Sequence, residues 1–244
     1  MLTTILTYTL IPVIATLIGG TIAVYRSPGE RTRIAVQHFA AGVVFAAVGV
    51  ELLPELTHNL NLLSLVVGFT LGVALMLVVR WLTGKLEREE ADGSGGRAGS
   101  SVGLVAASAV DVFIDGLLMG VSFDVGLKEG IIITIALTIE LLFLAISVVS
   151  SLGKEGKRKG TMIAVIVMLA LLVLIGASLG GFFLEGLHGH SLEIVIAFAT
   201  AALLYLVTEE LLVEAHKGPD NAFATTMFFV GFLIIMVLES KVTR

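Results

Sequence analysis

The 244-residue sequence contains no cysteine. Disulfide frameworks and thiolate metal sites are therefore excluded. Charge is scarce: Asp, Glu, Lys and Arg make up 14% of the chain, against roughly 25% in soluble domains. A basic stripe is missing and aromatics are few, so no surface is prepared for nucleic acid. No nucleophile–base pair, phosphate-binding glycine loop or HExxH-like pattern occurs, which speaks against an enzyme. Apolar residues fill the chain instead. At 57% hydrophobic residues and a mean hydropathy of +1.03, the composition is that of a polytopic membrane protein.

A helix needs about 20 mostly apolar residues to cross a bilayer. Eight stretches reach that length: 3–25, 34–56, 61–83, 102–123, 130–151, 160–184, 191–213 and 221–239. They are numbered spans 1 to 8. The sequence thus predicts an all-α integral membrane protein with a single transmembrane domain over 1–244. The first stretch lacks a basic leader and a clear cleavage site, so it reads as a retained span. The longest connection, KLEREEADGSGGRAGS at 85–100, has the charge and Gly/Ser content of a mobile aqueous loop. Of the 15 Lys and Arg, all but Lys128, Lys241 and Arg244 fall on one side of the eight spans. The positive-inside rule makes that side cytoplasmic. Both termini then lie on the extracytoplasmic side of a cell (plasma) membrane, with the 85–100 loop in the cytoplasm.

GVELLPELTH (Gly49 to His58) ends span 2, and TEELLVEAHK (Thr208 to Lys217) ends span 7. Both contain Glu-Leu-Leu-x-Glu, on spans that run in opposite directions. Inverted repeats of this kind occur in secondary transporters, although a match this short also arises by chance.

Asp111, Asp115 and Glu140 fall near the middle of spans 4 and 5. Each charge there costs about 2.5–3.5 kcal/mol on insertion scales. No Lys or Arg lies within those spans to neutralise them. The carboxyls must be protonated, face water or bind a cation. Asp111 and Asp115 stand four residues apart and project from one helix face, where like charges repel. A metal ion between them reverses the sign of that interaction, and Glu140 can supply a third carboxylate. A proton relay and polar helix–helix contacts are the alternatives.

Span 4 also carries Ser108 and a Gly116–Gly120 GxxxG pair, and span 6 carries the patch GASLGG at 176–181. Such small residues let helices approach closely. Glu51 and Glu55 lie toward one end of span 2, and Glu209, Glu210, Glu214 and His216 at the end of span 7. These read either as an entrance and an exit around a central site or as solvated helix ends. His38 reads as an interfacial histidine, and His188 and His190 as parts of a polar loop.

Three stretches resemble the zinc/iron permease (ZIP) family of divalent metal transporters. FAAGVVFAAVGVELLPEL (Phe39 to Leu56) is similar to that family's second helix, DVFIDG (Asp111 to Gly116) to its fourth, and LLYLVTEELLVEAH (Leu203 to His216) to its seventh. The resemblance implies an eight-helix bundle that moves a divalent cation toward the cytoplasm, with a metal site between helices 4 and 5. It puts Asp111 and Asp115 in the positions of that family's helix-4 histidine and glutamate, and leaves Glu140 alone on helix 5. It also allows a homodimer.

Without an imidazole in the central site, preference shifts from zinc toward harder ions such as Mn2+, Mg2+, Ca2+ or Fe2+. The predicted partners are thus a metal ion, as substrate, and the lipid bilayer, with no organic cofactor. A proton-coupled carrier of another small solute, and a non-transporting membrane protein of the same fold, are the competing readings.

Overall fold

The computed structural model describes residues 2–26, 28–58, 61–93, 99–184, 189–216 and 222–242. His188, Arg97, Lys217 and Arg244, and the side chains of Glu55 and Glu214, lie outside the described residues.

Among the described residues, eight helices are long and apolar enough to cross a membrane: Leu2–Tyr25, Arg31–Leu52, Leu62–Leu82, Gly103–Phe123, Leu127–Lys154, Lys159–Phe182, His190–Leu211 and Ala222–Lys241. They correspond one to one with the eight spans and keep their numbers. No strand occurs among the described residues. A helix satisfies its own backbone polar groups, which is what a hydrocarbon solvent demands.

The expected loop at 85–100 is shorter than its composition suggested. The helix that contains span 3 runs Leu62–Gly93, and the next begins at Gly99. Lys85, Leu86, Glu87, Arg88, Glu89, Glu90 and Ala91 are good helix formers, so an existing helix propagates through them until Gly93.

Spans 2, 4, 5 and 7 are the most buried, and spans 3 and 8 the least. Leu71, Leu75, Phe229 and Leu233 point outward, as apolar side chains do when lipid is the solvent. Span 4 packs most extensively against span 6, span 2 against span 8, span 1 against span 5, and span 3 against span 7. The carboxylate-bearing spans 4, 5 and 7 therefore lie inside the bundle.

The seam between spans 4 and 6 is made by glycines on both helices. A Cβ at Gly116 would meet the Val173 carbonyl, and one at Gly120 the Ala177 carbonyl. From the other side, a Cβ at Gly176 would meet the Phe113 carbonyl and one at Gly180 the Leu117 carbonyl. Backbone touches backbone here, as small-xxx-small packing permits. This contact directs the opposite face of span 4 into the bundle, where Asp115 is 0% exposed.

Spans 2 and 7 each contain a stretch of π-helix, Val48–Leu52 and Leu206–Leu211. Each stretch holds the first glutamate of the repeated Glu-Leu-Leu-x-Glu: Glu51 in one, Glu210 in the other. A π turn inserts a residue into the helical repeat and re-aims the side chains beside it. The sequence echo is thus matched by the same backbone distortion at the same point of both helices.

Candidate metal centre

The central cluster is built from two helices whose directions the seam and the bundle fix. Asp111 and Asp115 lie one turn apart on span 4, and Ser108 lies one turn before Asp111 on the same face and is buried. Glu140 comes from the buried face of span 5, only 2% exposed. One carboxylate oxygen from each of Asp111, Asp115 and Glu140 falls within 4.8 Å of the others. Two oxygens on opposite sides of one Mg2+, Mn2+ or Ca2+ stand about 4 to 5 Å apart, so three such atoms fit around a single ion.

Hydrogen bonding leaves the cluster unsaturated. Both carboxylate oxygens of Asp115 and Oε2 of Glu140 are buried with no hydrogen-bond partner. A buried polar atom without a partner costs about 1–3 kcal/mol, and more if charged. These unpartnered atoms belong to two members of the cluster whose oxygens approach within 4.8 Å, an arrangement with the chemistry of a cation donor set.

The fourth member comes from span 7. Glu210 hydrogen-bonds Asp111, and its charge also bears on Asp115 and Glu140. Sequence reasoning placed Glu210 at a helix end, along a route rather than at its centre. Both glutamates lie in the π turn at Leu206–Leu211, where adjacent residues point in different directions around the helix, so one can face span 4 while the other faces span 3. Glu210 turns inward to Asp111. Glu209 turns away: Arg80 Nη1 donates to its Oε2 at 2.5 Å and to the Tyr205 hydroxyl at 3.3 Å. Glu209 therefore does not join the cluster.

Glu51 does not join it either. It is 3% exposed, and its Oε2 stands 3.5 Å from the Lys128 ammonium, which also donates to Glu239 Oε1 at 2.6 Å. This triad ties together the ends of spans 2, 5 and 8. The sequence marked Lys128 only as one of three basic residues on its side, and Glu239 not at all. The signal was present in the topology, which brings one of only three basic residues on that side to the acidic ends of two neighbouring helices.

Removing the ammonium leaves Glu51 buried beside Glu239 without it, and a lone buried charge is strongly destabilising. Lys128→Ala is expected to lower the thermal unfolding midpoint in detergent, with partial recovery on adding Glu51→Gln. An unchanged midpoint in the single variant would contradict the tie.

His216, at the opposite end of the bundle, is exposed and lies beside His38. His190 opens span 7 with its Nδ1 3.2 Å from Glu193 Oε2.

A family model described as ZIP Zinc transporter matches residues 85–239, more than half of the chain. The matched region holds spans 4 to 8 and all four clustered carboxyls. The chain is also similar to the zinc transporter GufA of Myxococcus xanthus, at 28% identity over 150 residues, 61% of this chain. That alignment spans 59% of the length of this curated relative.

Proposed function

The chain belongs to the ZIP family, a multi-pass membrane family, and from that membership we propose that it carries a divalent metal ion across the bilayer through the carboxylate cluster between spans 4, 5 and 7. Flux runs toward the cytoplasm of a cell whose plasma membrane holds the protein with both termini outside. The basic residues gathered on one side support that orientation.

The observation that carries the reading is the convergence of Asp111, Asp115 and Glu140 within 4.8 Å, with both oxygens of Asp115 unpartnered. Structural polar groups in a membrane core are hydrogen-bonded to one another, whereas both oxygens of Asp115 and Oε2 of Glu140 have no such partner and are open to a ligand. Glu210 completes a four-carboxylate set, and Ser108 adds a hydroxyl on the same stripe. All four acids come from one chain, so the site needs no second copy even where a homodimer forms.

An all-oxygen site favours Mn2+, Fe2+, Mg2+ or Ca2+ over zinc relative to sites that contain imidazole. Uptake of Mn2+ and Zn2+ into proteoliposomes made with the purified protein tests the proposal. Mn2+ entry that Zn2+ competes with only weakly is expected, and no entry of any divalent ion overturns it.

The pH dependence has a definite sign. Carboxylates bind metal as anions, so protons compete with the cation and each bound ion displaces them. The initial rate should fall as external pH is lowered, with the loss appearing in KM before the maximal rate. A rate that rises on acidification would point instead to a proton-driven carrier.

A further inference from the structure

Two histidines 178 positions apart in the chain meet at the end of the bundle where span 2 begins and span 7 finishes. His38 is buried at 5% exposure, and its ring centre lies 5.1 Å from that of the exposed His216. Both rings use the same nitrogen in the same way. Nδ1 of His38 donates to the Ile34 carbonyl at 2.9 Å, and Nδ1 of His216 to the Leu212 carbonyl at 2.6 Å. A neutral ring that donates from Nδ1 keeps its lone pair on Nε2. Metal-bound histidines show this same arrangement, with the non-ligating N–H given to a carbonyl that fixes the tautomer and the ring orientation.

The spacing agrees with a shared ion. Two imidazoles on one tetrahedral cation, each bound at about 2 Å, hold their ring centres about 5 Å apart. The rings are inclined at 55°, so they do not stack face to face. One histidine is sealed in the bundle and the other is open to solvent, which makes the pair accessible from one side only.

The geometry points to a second metal site, formed by Nε2 of His38 and Nε2 of His216, that takes borderline cations such as Zn2+, Cu2+, Ni2+ or Co2+. Its role rests on the transport reading, but its existence does not. His216 follows Glu210 by six residues on span 7, about 9 Å along a helix. An ion leaving the carboxylate cluster on the cytoplasmic side would meet two nitrogen donors next. Nitrogen donors retain Zn2+ in preference to Mn2+. The hard central site and the imidazole site would therefore select different ions in series.

The test uses the full-length protein in detergent, with the central cluster disabled as Asp111→Asn/Asp115→Asn/Glu140→Gln. One equivalent of Cu2+ is added and its electron paramagnetic resonance spectrum recorded. Coupling to two imidazole nitrogens is expected, reduced to one in either His38→Ala or His216→Ala, and unchanged in His188→Ala/His190→Ala. A spectrum without two-nitrogen coupling, or one that the His216→Ala change leaves intact, overturns the site. His216 lies at an exposed helix end, so that variant remains informative if His38→Ala folds poorly. In the native background, His216→Ala should lower Zn2+ uptake several-fold more than Mn2+ uptake, and equal loss for both ions counts against the selective role. If the native protein moves no metal, the transport reading fails while the copper spectrum still decides the site.

Discussion

Asp111→Asn/Asp115→Asn is expected to abolish divalent metal uptake into proteoliposomes and to weaken metal binding by at least about 100-fold, a loss beyond that from removing groups that only orient a ligand. Both residues project from one face of span 4, and both oxygens of Asp115 are buried without a hydrogen-bond partner. Asp111 and Asp115 lie close to Glu140 and Glu210, and wherever these acids are ionised together their like charges repel. Neutral amides remove that repulsion, so the double variant should unfold at the same temperature as the native protein or higher in metal-free buffer. The pairing of lost uptake with retained or raised stability separates a ligand from a structural residue. Full uptake by the double variant, or a large drop in its unfolding temperature, would refute the assignment. Glu140→Gln should follow the same pattern, because its Oε2 is likewise unpartnered.

The second large effect is on assembly. At Gly116 a side chain would run into the Val173 carbonyl, and at Gly120 into the Ala177 carbonyl. A backbone carbonyl inside a packed helix cannot step aside as a flexible side chain can. Overpacking a core costs about 1–3 kcal/mol where neighbours can shift, and more where they cannot. Gly116→Leu is expected to spread spans 4 and 6, displace Asp115 beside it, and give protein that unfolds at a clearly lower temperature and carries no metal. Gly160→Leu is the matched control, since a Cβ there meets nothing within 4 Å. It should express and unfold like the native chain. Thermal unfolding in detergent, followed by chromatographic dispersity, measures both. Equal behaviour of the two variants would show that the seam does not depend on its glycines.

The same substitutions mark the boundary between local and long-range information. Eight runs of apolar residues specify eight helices, because a hydrocarbon solvent admits little else. Asp111 and Asp115 share a face by virtue of a spacing of four, and Gly116 and Gly120 likewise, so the acidic face and the packing face of span 4 were legible without any partner. What those faces meet was not. The Gly116–Gly120 pair and the GASLGG patch were both visible as packing surfaces, yet only the assembled bundle seats one on the other.

The spans, the chemistry of span 4 and the one-sided distribution of Lys and Arg were determined by the sequence itself. They depend on hydropathy, helical period and charge, all properties of neighbouring residues. The tertiary structure decided three further things. Within the π turn at Leu206–Leu211, Glu210 meets Asp111 and Glu209 meets Arg80, partners that depend on where spans 4 and 3 lie around span 7. Lys128 closes on Glu51 and Glu239 across three helices. His38 and His216 become neighbours although 178 positions separate them. Contacts of this kind are set by how helices rotate and slide when their surfaces interlock, and that is a property of the whole bundle rather than of any one segment.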